Sequence, residues 1–126
     1  VAYMNKNHRL AGKDKLEVED LRAEPLLMVD EKSSPGYGNL VRSLLLSHDI
    51  HPLVAHYARN GGAHMGNILI NKGILLASQY FLENSWTDQI ARPPLEGVDL
   101  YVTAIWKKQN TSPVLKNFLR TITDSI

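Results

Sequence analysis

Four short apolar runs, Val1–Met4, Leu26–Val29, Leu53–Tyr57 and Ile74–Ala77, punctuate this chain. Each is bounded by turn-forming residues, which is how strands of a sheet covered on both faces read in sequence. The segments between them have a longer period. Leu40, Val41, Leu44 and Leu45 fall at i, i+1, i+4 and i+5 behind Ser34 and Pro35, so a helix with one apolar stripe opens there, and Asp49 and Pro52 mark its end. A short helix is predicted over Ala63–Ile70, with Asn71 in the left-handed position beyond it. Val18–Ala23 reads as one helical turn stopped by Pro25. Lys6–Lys15 reads as a polar turn in which Gly12 is available for a positive φ. Further on, Gln79–Glu83 reads as a short helix, Ile90–Arg92 runs into an extended connector at Pro93 and Pro94, and Leu100–Trp106 alternates as a strand. The last element is a helix opened by Ser112 and Pro113, with Leu115, Phe118, Leu119 and Ile122 on one face. Strands alternating with helices predict an α/β domain with a largely parallel sheet.

Composition narrows the function classes. At 126 residues the chain builds one core, and 44% hydrophobic with 21% charged residues is ordinary globular material. A net charge of +1 with scattered Lys and Arg offers no electrostatic footprint for nucleic acid, so no specific DNA affinity is expected of the chain by itself. Without cysteine there are neither disulfides nor thiolate zinc sites, which is compatible with a cytoplasmic location. No apolar run reaches membrane-spanning length, and no membrane partner is expected. Val1–Lys6 has no signal-peptide character, and a chain starting at Val1 is expected to be truncated or processed.

Two strand-to-helix junctions are the candidate sites. At Ser33–Ser34–Pro35–Gly36 a helix N-terminus presents unpaired N–H groups that attract anions, beyond the carboxyl end of a strand where open α/β sheets bind ligands. The plainer reading is a cap that stabilises only its own helix. No Gly-Lys-Ser/Thr follows, so this is not a phosphate-binding P-loop. Asn60–Gly61–Gly62 would let backbone approach a ligand closely, or serve as simple turn residues. The five histidines (His8, His48, His51, His56 and His64) show no metal-ligand spacing and are expected on the solvated surface, so no metal is assigned. There is no nucleophile elbow, paired carboxylate set or dinucleotide fingerprint, and neither catalysis nor a cofactor is expected.

The segments His8-Arg9-Leu10-Ala11-Gly12, Leu16 to Leu21, Glu24 to Val29, Ser33-Ser34-Pro35-Gly36-Tyr37 and Lys72 to Ser78 together resemble, in order and spacing, the effector-binding domain of LysR-type transcriptional regulators. The resemblance covers nearly the whole chain. It implies the two-lobed fold of type 2 periplasmic binding proteins: residues 1–5 as a crossing strand, 6–88 as the second lobe, and 89–126 as a return segment to an incomplete first lobe. It also implies a ligand-sensing role, with a small-molecule effector, such as a carboxylate or other anion, held by Ser33, Ser34, Pro35, Tyr37, Asn60 and Gly61. DNA would be reached only through an N-terminal helix-turn-helix outside this chain. The tail helix, whose family partner surface is mostly missing, is expected either to fold back on the lobe or to pack against a second copy of the chain, and the second, a homo-oligomer, is slightly favoured. A solute-binding protein of the same fold serving transport is the alternative, and a small enzyme a third. The chain departs from the family pattern at Leu69-Ile70-Asn71-Lys72-Gly73, where the usual run is Ala-Ala-Gly-Leu-Gly. It also has Ser78 for a usual Pro, Ala63 for a common Thr, and a glycine-rich Gly61–Gly66. These positions line the expected cleft and bear on the effector class.

Overall fold

The computed structural model describes residues 1–81, 88–99 and 104–125. Five strands form one sheet in the order β3-β2-β4-β1-β5, where β1 is Ala2–Asn5, β2 Pro25–Val29, β3 Leu53–Ala58, β4 Ile74–Leu76 and β5 Ile90–Ala91. The sheet is mixed. β2 runs parallel to β3 and β4, whereas β1 is antiparallel to β4 and β5. Helix α1 (Pro35–Ser47) connects β2 to β3, and α2 (Met65–Leu69) connects β3 to β4.

Period-2 alternation explains how one apolar run serves two layers. Leu26 and Met28 of β2, Ile74 and Leu76 of β4, and Ala2 and Met4 of β1 join Val41 and Leu45 of α1 in one core cluster. The intervening Leu27, Leu75 and Tyr3 join Ile68 of α2 in a second. The helices therefore cover opposite faces, and the two connections leave the carboxyl ends of β2 and β3 in opposite directions. That is the switch point at which open α/β sheets form a crevice.

Local chemistry sets the boundaries. Asp49 (φ 56°) and Asn71 (φ 58°) take the left-handed conformation after α1 and α2, which Asn and Asp tolerate better than branched residues. The Arg22 guanidinium donates to the carbonyls of His48 (3.3 Å) and Asp49 (3.0 Å) at the carboxyl end of α1. The extended connector is pinned by backbone bonds from Ala2 to Pro93 (3.0 Å) and from Leu16 to Pro94 (2.8 Å). Glu24 is buried against His8 (3.1 Å) and Arg9, tying the first turn to the start of β2.

Five expectations need correction. Gly12 does not adopt a positive φ; Gly97 does, at 74°. Ser34 occupies the N-cap position of α1, but its side chain makes no capping bond. Gln79–Phe81 is a turn closed by Phe81 N–H to the Ser78 carbonyl (3.0 Å), not a helix, and residues 82 and 83 lie outside the described residues. Of the strand expected over Leu100–Trp106, residues 100–103 lie outside the described residues and Ala104–Trp106 is irregular. The histidines are not uniformly solvated: His64 is fully buried and His8 mostly so. The C-terminal helix α3 (Pro113–Asp124) forms as expected, with the Ser112 hydroxyl accepting from Leu115 N–H (3.2 Å), and none of its residues is buried.

Candidate functional site

A cavity of about 500 Å³ opens at the carboxyl ends of β2, β3 and β4, a size ordinary for a small-molecule site. Ser33, Ser34 and Tyr37 from the β2–α1 junction, and Asn60 and Gly61 from the loop after β3, all line it. Pro35 does not. At N1 its ring sets the start of α1 instead, with the Ser33–Ser34 turn held from behind. There the Asp30 carbonyl accepts from the amides of Ser33 (3.2 Å) and Ser34 (3.1 Å), and Asp30 Oδ1 also accepts from Ser33 N–H (2.8 Å). Hydrogen bonds from the Ser33 amide and hydroxyl hold the Asp30 carboxyl below the usual carboxylate range.

Tyr37 is a strut in this wall. Its hydroxyl donates to the Leu76 carbonyl at 2.6 Å, fastening the first turn of α1 to β4, and burial pushes its pKa up to about 12. Its ring packs against both core clusters. Gly61 serves by close approach. A Cβ there would lie 2.6 Å from the Phe81 ring, which also meets the Tyr3 ring edge-on at 5.6 Å. Asn60 caps the 3-10 turn Gly61–His64, its Oδ1 accepting from Ala63 N–H at 2.9 Å. Beneath both loops, His64 Nε2 lies 2.8 Å from the Met28 carbonyl and Nδ1 lies 3.2 Å from the Asn67 side-chain amide nitrogen.

Sequence reasoning missed several residues of the site. Leu40, Leu44, Leu76, Phe81 and Val98 make most of the wall apolar, and Arg59 and Asp99 are its two charged residues. Arg59 had a legible signal, a cation at the carboxyl end of a strand directly before Asn60. Phe81 and Val98 had none, because tertiary packing alone brings them in. Among the described residues no group of three His, Asp or Glu side chains is placed to hold a metal ion. No helix among them is long and apolar enough to cross a membrane.

The family model of the LysR substrate binding domain matches residues 1–126. The chain belongs to that family. Solved structures agree on the fold. HinK, a LysR family transcriptional regulator from Pseudomonas aeruginosa, is 19% identical with a TM-score of 0.74; the match covers 98% of this chain and 43% of HinK. The regulatory domain of Synechocystis CcmR in complex with 2-PG is 18% identical (TM-score 0.71), with 99% of this chain and 61% of that one covered. The effector-binding domain of QuiR in complex with shikimate is 21% identical (TM-score 0.67), with 95% and 57% covered. The chain thus spans less than two thirds of the length of each. No curated protein matches it. The architecture, an α/β mixed sheet of the type 2 periplasmic-binding-protein kind, is that of LysR effector-binding domains.

Proposed function

We propose that this domain is the ligand-sensing part of a LysR-type transcription regulator, and that a small-molecule effector occupies the cavity at the carboxyl ends of β2, β3 and β4. The cavity's position at the switch point, bordered by both predicted loops, carries the reading. The effector class is a carboxylate or similar anion with an apolar body. Arg59 and the Ser34 hydroxyl supply the polar end, and Leu40, Leu44, Leu76 and Phe81 the carbon surface. Similar domains are described with bound 2-PG and shikimate, which supports a sensing role. On this reading the domain binds and does not catalyse, and it works in the cytoplasm. Residues 1–5 cross between lobes, 6–88 form the second lobe and 89–126 return to the first. DNA is reached through a separate helix-turn-helix, and a second copy of the chain covers the apolar stripe of α3.

Amide spectra of the labelled chain titrated with octanoate, octan-1-ol and succinate test the ligand class. Octanoate is expected to shift the amides of Ser33, Tyr37, Asn60 and Gly61, octan-1-ol to bind more weakly, and succinate, lacking the body, weakest of all. Arg59→Gln should bring octanoate down to the level of the alcohol. Silence at these amides with every carboxylate would overturn the reading, and tight succinate with no octanoate binding would overturn the class.

A further inference from the structure

His64 is fully buried and is the last residue of the turn that Asn60 caps. A carbonyl can only accept, so Nε2 carries the proton and donates to Met28 O at 2.8 Å, leaving Nδ1 as acceptor for the Asn67 side-chain amide at 3.2 Å. The β2–β4 pairing ends at Leu27 with Leu75, so Met28 sits just past that ladder and its carbonyl is taken up by the imidazole. Met28 leads into Val29 and Ser33 on one wall of the cavity, and His64 follows Asn60 and Gly61 on the other. One side chain therefore links the two loops. We propose that neutral His64 is the positioning residue that holds the two ligand-facing loops in register, and that its protonation releases them, so that effector affinity falls in mild acid.

A second proton would have to enter at Nδ1, where it meets an Asn67 N–H head-on and puts a charge on a fully buried ring. The Nε2–H bond to Met28 itself favours the charged form, so release follows from the charged ring leaving its pocket and taking that bond with it. The titratable groups that bear on it are His56 on β3, whose ring stands edge-on at 6.0 Å, and Lys72 beyond α2; β2 contributes only the Met28 carbonyl. Burial is the main cause that depresses the His64 pKa, with His56 and Lys72 adding to it and the Met28 carbonyl opposing. The affinity clause rests on the reading of the cavity given above, whereas the loop coupling does not.

The experiment follows amide and histidine ring signals of the ligand-free chain from neutral pH to about pH 5.5. The amides of Val29–Ser34 and Asn60–Ala63 are expected to move together with the His64 ring, with a midpoint below 6.5. His64→Gln keeps an N–H donor of similar reach but cannot titrate, and should abolish that shared transition; His56→Gln should leave it in place. With octanoate as probe, wild-type affinity should fall by at most about tenfold per pH unit below the midpoint, and the His64→Gln variant should stay flat. Loops that move independently of the His64 ring, or a transition that survives in His64→Gln, would overturn the coupling. Coupled loops with a flat octanoate profile would overturn the affinity clause alone. If no carboxylate binds at neutral pH, the cavity reading fails and takes that clause with it, while the ligand-free profile still decides the coupling. His64→Leu tests the donor itself: loop amides unchanged at neutral pH would also count against the proposal, and if that variant does not fold, the wild-type and His64→Gln profiles carry the decision.

Discussion

Removing one oxygen at Tyr37 separates its two roles. In Tyr37→Phe the ring stays, and the bond to the Leu76 carbonyl (2.6 Å) is lost. Leu76 is only 8% exposed, so little water can replace the donor. A net hydrogen bond is worth about 1 kcal/mol, and an acceptor left unsatisfied in the interior costs about 1–3 kcal/mol, so a destabilisation of about 1–2 kcal/mol is expected. For a chain of this size that is a fall in Tm of roughly 4–8 °C. Because burial lifts the hydroxyl pKa to about 12, the loss should be the same at every pH at which the domain is folded near neutrality. Tyr37→Ala also removes the ring from both core clusters, raising the cost to about 3–5 kcal/mol. Octanoate affinity should be unchanged in Tyr37→Phe and weakened by about 1 kcal/mol in Tyr37→Ala, the worth of roughly one buried methylene of its chain. Urea melts and the amide titration read both effects. Tyr37→Phe melting with the wild type would show that the hydroxyl bond stabilises nothing, and Tyr37→Ala binding octanoate normally would show that the ring is no part of the site.

Glu24→Ala should cost about 1–3 kcal/mol in urea unfolding, because it strips mostly buried His8 of its carboxylate partner, whereas exposed Arg9 can turn to water. Gly73→Ala should cost about 1–3 kcal/mol, since the new Cβ would lie 2.9 Å from the Pro25 backbone carbonyl, which cannot step aside. His64 sets a pH dependence of stability. Its folded pKa lies below the ordinary 6.5, so the unfolded chain binds more protons between the two values. Stability is therefore complete above about pH 6.5 and is lost as pH falls below it; His64→Gln should flatten that limb in denaturant melts taken across the range.

Elements whose residues carry their own boundary chemistry were legible in sequence. Pro35 at N1 and Asn71 in the left-handed region each have a local physical reason, and both stand where the pattern put them. Ser34 shows the limit of that logic. It holds the capping position without bonding, because the Asp30 carbonyl and carboxylate have already organised the turn. The sheet's mixed character was not legible, since an apolar run carries no strand direction; the antiparallel β1 follows from pairing partners far along the chain. His64 was misread for the same reason. Nothing beside it in sequence signals that the Met28 carbonyl, 36 residues earlier, needs a donor. The apolar wall of the cavity likewise comes from Phe81 and Val98, which only folding brings to Tyr37 and Gly61.

Helix α3 joins sequence pattern to assembly. Its stripe of Leu115, Phe118, Leu119 and Ile122 formed as the spacing predicts, yet none of the four is buried, and Phe118 is 55% exposed. Propensity and the Ser112 cap are therefore what hold the helix among the described residues, with little help from packing. Packing two copies stripe to stripe would cover eight side chains, of which only the Phe118 pair is about half exposed, and at about 1.5–3 kcal/mol for burying each one completely the gain is at most roughly 5–10 kcal/mol. Association itself costs about 4–15 kcal/mol, so the balance allows a weak dimer rather than a permanent one. Sedimentation at several concentrations should show a reversible rise in mass that Phe118→Asp abolishes without reducing helix content. A chain that stays monomeric over the whole range with α3 still helical would mean that the stripe awaits a different surface.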